Sequence, residues 1–198
     1  MVFVVTGPSG SGKSTILRHV LKDMRQVAFS VSHTTRPPRP SEQDGREYHF
    51  VSEAEFRRLI NREAFAEWAV VHGHHYGTSK AEIRRLGRTS DVILDIDVQG
   101  ARQIRERVPG AVFIFVMPPS LATLRKRLRE RDEDDAATIG TRLRNAKSEI
   151  REAGRFDYIV VNDRLDRAVL ELEAIVLSAR CRAEIRRRLV RTVLAGRT

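Results

Sequence analysis

The stretch Gly7-Pro8-Ser9-Gly10-Ser11-Gly12-Lys13-Ser14 decides the reading of this chain. It fits the pattern G-x-x-x-x-G-K-[ST], in which glycines let successive backbone N–H groups curl around phosphate oxygens. Val2-Phe3-Val4-Val5 before it is a short apolar, β-branched run that reads as a buried strand. Ile16, Leu17, Val20, Leu21 and Met24 behind it recur at helical spacing. Strand, glycine turn and helix together aim a helix N-terminus, with its partial positive charge, at bound phosphate. Lys13 is then placed to reach the β- and γ-phosphates of a nucleoside triphosphate, and the Ser14 hydroxyl to ligate Mg²⁺.

Outward from this motif the chain alternates strands and helices. Val27–Val31 reads as a second strand, Val92–Asp97 as a buried strand ending in acid, and Ala111–Met117 and Tyr158–Val161 as two more. Helices are expected around Ala101, Ile104 and Val108, around Leu121, Leu124 and Leu128, and around Ile139, Leu143, Ala146 and Ile150. Leu165–Arg191 reads as mostly one long helix. This rhythm implies a doubly wound parallel sheet covered on both faces. It is interrupted between about Thr34 and Arg85. There a proline- and arginine-rich loop precedes two capping boxes, Ser52–Glu55 and Ser79–Glu82, and a strand-and-turn segment from Phe65 to Tyr76.

Composition removes several classes. The 198 residues suit one domain, and a single cysteine, Cys181, rules out a disulfide scaffold. The longest apolar run, Ala111–Met117, is far short of the roughly 20 residues of a membrane span. The opening apolar run stops at Thr6-Gly7, too short for a secretory leader, so the cytoplasm is the expected compartment and no membrane partner is expected. The net charge of +10 is compatible with anionic partners or with solvated helix faces. Ala179–Thr198 carries seven arginines and one acid with no aromatic between them, so a solvated helix end is expected there rather than a nucleic-acid surface.

Several residues carry candidate chemistry. Asp95 and Asp97 end a buried strand, where ligands collect in open α/β sheets; metal or substrate contact, helix capping and pairing with Lys13 all remain open for them. Arg36 and Arg39 stand three apart on a proline-stiffened loop, a fork suited to a second phosphate. Tyr48, Glu67 beside Trp68, and Tyr76-Gly77-Thr78-Ser79 add hydroxyls and an isolated carboxylate.

Taken together, the glycine-rich motif, "SVSHTTRPPRP", "DGREYHF", "FAEWAVVHGHHYGTS", "VILDIDVQGA", the arginine-rich stretch near Arg131 and "DYIVVND" strongly resemble guanylate kinase, in that family's order, from Val2 to about Asp163. The resemblance implies a P-loop core (1–33, 86–128 and 151–198), an inserted GMP-binding lobe (34–85) and a helical lid (129–150). It implies phosphoryl transfer from Mg²⁺-ATP to GMP, giving ADP and GDP, in purine nucleotide metabolism. Gly7, Pro8, Ser9, Gly10, Ser11, Gly12, Lys13, Ser14 and Thr15 would bind ATP, with Asn162 beside the adenine. Arg36, Arg39 and Tyr48 would meet the GMP phosphate; Ser32, Glu67, Thr78 and Asp97 would read the guanine, and Tyr76 would touch the same nucleotide. Lys13 and the lid arginines Arg131 and Arg142 would be catalytic, with Ser14 and Asp95 at the metal. One departure stands out: where the family commonly has glycine and threonine after the first lid arginine, this chain has Asp132 and Glu133, giving an acidic lid tip. The acceptor is itself a phosphate with a second pKa of about 6, so no general base is expected among His33, His49, His72, His74 or His75.

Overall fold

A computed structural model describes residues 1–71, 73–130 and 136–196. The first half comprises β1 (Val2–Thr6), α1 (Lys13–Asp23), β2 (Val27–Phe29), β3 (His33–Thr34), β4 (His49–Phe50), α2 (Glu53–Asn61), β5 (Phe65–Val71), β6 (His74–Ser79) and α3 (Lys80–Leu86). The second comprises β7 (Asp91–Asp95), α4 (Val98–Arg107), β8 (Val112–Met117), α5 (Leu121–Arg129), α6 (Ala136–Arg151), β9 (Tyr158–Val161), α7 (Leu165–Arg180) and α8 (Ala183–Leu194).

Two sheets share this chain. The larger is all parallel with strand order β2-β7-β1-β8-β9. Its strands alternate between two cores, as the two-residue pleat requires. Phe3, Val5, Ile93, Ile114, Val116 and Val160 meet Ile16, Leu17 and Val20 of α1 and Leu172 and Val176 of α7 on one face. Val4, Val92, Leu94 and Phe113 meet Ala101 and Ile104 of α4 on the other. The sheet is therefore doubly wound, with β1 at its centre between β7 and β8. That is the point where successive crossovers leave in opposite directions and a crevice opens at the strands' C-terminal ends.

The smaller sheet, order β4-β3-β6-β5, is built from the interrupting segment. The serine half of each capping box forms, Ser52 Oγ accepting from Glu55 N–H (3.1 Å) and Ser79 Oγ from Glu82 N–H (3.4 Å), while the Glu55 and Glu82 carboxylates pair with Arg58 and Arg85. The expected strand and turn from Phe65 to Tyr76 is a hairpin in which Glu67 lies directly opposite Thr78.

The one long helix expected over Leu165–Arg191 is two. Its buried stripe, Ala168, Leu172, Ile175, Val176 and Ala179, runs out at Ala179. Arg180 is tied to Asp91 (2.6 Å) and to the carbonyls of Arg25 and Gln26 at the sheet edge, and Arg182 leaves helical geometry. With no core beyond that anchor, nothing keeps the next turn in line with α7.

Candidate active site

The glycine-rich turn lies at the crevice above β1. Gly12 caps α1 at φ +94°, a left-handed conformation that costs glycine little, and a Cβ there would collide with the Asn162 amide. That amide donates to Ser11 O (2.7 Å) from the end of β9, while Arg127 on α5 donates to Ser11 O (3.3 Å) and to Asn162 O (3.0 Å). Two side chains from other elements thus brace the outer edge of the turn. Lys13 Nζ donates to Gly7 O (2.6 Å) and stands 3.9 Å from Asp95. The ammonium is held over the turn, where it can swing to a phosphate.

A cavity of about 310 Å³ opens in front of this turn. The turn forms one wall with Lys13, Ser14 and Thr15. The small sheet forms the opposite wall with Ser32, Tyr48, Glu67 and Tyr76, joined by Arg39. Asp95 and Asp97 make the floor, and Arg142 and Glu149 of α6 reach in from the side. No histidine is among its described lining residues.

Glu67 is the most unusual group here. Its side chain is buried, at 3% exposure, yet it is a carboxylate on a strand. Thr78 Oγ1 donates to Glu67 Oε1 (2.5 Å), and Ser32 Oγ lies 3.2 Å from Thr78 Oγ1. Glu67 on β5 and Thr78 on β6 are register partners and Ser32 stands one residue before β3, so pairing within the small sheet creates the row. Burial, aided by the charge of Asp97 and opposed by the Thr78 bond, pushes the Glu67 carboxyl up to about 7. Its second oxygen faces Gly100 of α4, where any Cβ would strike it. The Glu67 residue also lines the cavity.

Asp97 serves two ends. It caps α4 by accepting from Gly100 N–H (2.8 Å) and lines the cavity as well. Asp95 is raised by burial, which Lys13 opposes.

The arginine fork is partly engaged. Arg36 is not on the cavity wall: its guanidinium donates to both Glu42 oxygens (2.7 and 2.9 Å) and lies 5.6 Å from the centre of the Tyr48 ring. Arg39 N–H donates to Glu42 Oε2 (2.8 Å), so one carboxylate organises both arginines. Burial opposes ionisation of Glu42, but these bonds hold it below the usual carboxylate range. Burial raises the Tyr48 hydroxyl, which keeps it a neutral donor.

The structure gathers the turn residues, Ser32, Arg39, Tyr48, Glu67, Tyr76, Asp95, Asp97 and Arg142 at one cavity. Thr78 stands behind Glu67, and Asn162 braces the turn rather than lining the cavity. Arg131 and the acidic tip, Asp132 and Glu133 included, lie outside the described residues. Sequence reading missed four residues. Glu42 and Arg127 carry no motif that marks them. Gly100 lies within "DVQGA", but its role depends on α4 approaching β5. Glu149 stands seven residues after Arg142, two turns along the same helix face, and that spacing was available to find it. Burial raises its carboxyl, with Lys13 opposing.

A parallel sheet with a glycine-rich phosphate turn at its switch point, facing an inserted sheet across one cavity, defines a P-loop kinase. Against a shikimate kinase structure the likeness is one of fold alone (TM-score 0.51, 13% identity). The guanylate kinase family model matches residues 1–179. The chain is 47% identical over 186 residues to a guanylate kinase of Geobacter sulfurreducens, covering 92% of this chain and 90% of that one. It is 49% identical to one of Dechloromonas aromatica, covering 88% and 87%. A crystal structure of guanylate kinase from Anaplasma phagocytophilum superposes with a TM-score of 0.76 at 29% identity, over 92% of this chain and 87% of that one. The chain belongs to the guanylate kinase family.

Proposed function

We propose that this chain transfers the γ-phosphoryl group of ATP to the phosphate of GMP, giving ADP and GDP. The observation that carries the reading is the Ser32–Thr78–Glu67 row facing the phosphate turn across one cavity. Guanine offers N–H donors at N1 and N2, and an ionised Glu67 accepts both. Adenine offers an acceptor at N1, which would leave a buried carboxylate without a donor. Sites built this way discriminate by roughly 10⁴–10⁵.

In this reading the chain works as core, GMP lobe (34–85) and lid (129–150), acting in the cytoplasm. Arg39, Tyr48 and Tyr76, with Arg36 turned from Glu42 toward the ligand, hold the GMP phosphate. Lys13 leaves the Gly7 carbonyl for the β- and γ-phosphates of ATP, and Arg142 and Arg131 close on the same charge. A GMP phosphate oxygen forms the new bond to the γ-phosphorus as the bond to the bridging β,γ-oxygen breaks. That oxygen is already largely deprotonated at pH 7, so no base is needed. Positioning and charge neutralisation then account for the rate.

The hydroxyl of Ser14 and the carboxylate of Asp95 are hard oxygen donors on the same cavity, a set that fits Mg²⁺ completed by phosphate oxygens and water. Bound there, Mg²⁺ neutralises charge on the β- and γ-phosphates.

A coupled ADP-release assay offering GMP, AMP, CMP and UMP in parallel tests the proposal. Turnover confined to GMP is expected; equal turnover of AMP, or none with GMP, overturns it.

A further inference from the structure

Neither the family match nor the proposed chemistry uses α8. The match ends at residue 179 and the helix starts at Ala183. The root of α8 is fixed: Arg180 is pinned to Asp91, and Arg186 folds back to Arg180 O (3.4 Å) and Cys181 Sγ (3.2 Å). Beyond that root no residue of the helix is buried.

Ile185, Leu189 and Val193 follow one another at four-residue steps with Val190 and Leu194 beside them, an aliphatic half interrupted only by Arg186, whose guanidinium is drawn back to the root. All five are open to water, Leu189 at 56%, Val193 at 68% and Leu194 at 82%. Arg187, Arg188 and Arg191 occupy the other half with a single acid, Glu184. Among the described residues these three guanidinium groups have no salt-bridge partner.

Two chemistries must be met at once by whatever covers this helix. A nucleic acid would neutralise the arginines and leave the aliphatic half in water. A second copy laid along the aliphatic half would bring Arg187 and Arg188, which flank it, against their counterparts. An anionic bilayer satisfies both halves: aliphatic side chains enter the acyl boundary while arginines meet headgroup phosphates. Twelve residues are too few to span, so the helix lies in the plane of the surface. We propose that α8 is a docking helix for an anionic phospholipid surface, holding the enzyme at the membrane by the helix that follows the family match. The expectation of no membrane partner rested on the lack of a spanning segment, and an in-plane helix needs none.

The test is co-sedimentation of the full chain with vesicles of phosphatidylglycerol and phosphatidylcholine, and with phosphatidylcholine alone. Binding to the anionic vesicles only is expected. Leu189→Asp with Val193→Asp should weaken it at least about tenfold, and Arg187→Gln with Arg188→Gln and Arg191→Gln roughly a hundredfold. Both variants should keep wild-type GMP kinase activity, which reports intact folding. No binding to anionic vesicles overturns the proposal. So does binding that survives the aspartates, which would be adsorption of a basic protein, or a dimer that those aspartates convert to monomer.

Discussion

Glu67→Gln separates what the buried carboxylate does for recognition from what it costs the fold. A carboxyl at about 7 in the folded, ligand-free protein against an ordinary 4.5 means that folding favours its protonated form. The sign follows: stability is fully present below the unfolded value and is lost as pH rises through about 7. The full difference is about 3 kcal/mol, present at pH 8 and reduced to about 1 kcal/mol at pH 5. Glutamine keeps an oxygen for the Thr78 hydroxyl and cannot ionise. Urea unfolding of the ligand-free proteins should therefore find Glu67→Gln more stable than wild type by about 3 kcal/mol at pH 8, with the gap closing toward pH 5. In the same preparation its preference for GMP over AMP should fall by orders of magnitude. A variant no more stable than wild type at pH 8 would show that the carboxylate carries no burial penalty and refute the reasoning.

Four further outcomes are expected. Calorimetric GMP affinity should weaken about fourfold from pH 8 to 6.5 as Glu67 takes up its proton, while Glu67→Gln stays nearly flat; a flat wild-type profile would contradict this. Lys13→Ala should abolish turnover with unchanged circular dichroism, and residual wild-type turnover would remove Lys13 from the reaction. Gly100→Ala should raise the KM for GMP and leave that for ATP near wild type, because the new Cβ displaces Glu67 alone; a matched rise in both would point to general damage. Asn162→Ala should cost about 0.5–1.5 kcal/mol of stability by removing the shorter of two bonds to the Ser11 carbonyl, and should raise the KM for ATP more than that for GMP.

The legible parts of this chain were those encoded locally. The phosphate turn, the strand–helix rhythm and both serine N-caps are set by residues within about seven positions of each other, and the structure has them where the spacing put them. The small sheet was harder, because β3 and β4 are two residues long and gain their order only by pairing with distant segments. Glu42, Arg127 and Gly100 act through neighbours that the sequence does not place beside them. The break between α7 and α8 is not signalled by proline or glycine: it follows from where the core ends and where Arg180 finds Asp91.

The central claim is that Glu67 is a buried acceptor for guanine donors. Its side-chain carboxyl carbon, followed by NMR over pH with and without GMP, tests that claim most directly. Titration near 7 in the free protein is expected, with a clear downward shift once GMP is bound that is absent with AMP. Titration in the ordinary carboxylate range, or a value that GMP leaves unmoved, would contradict it.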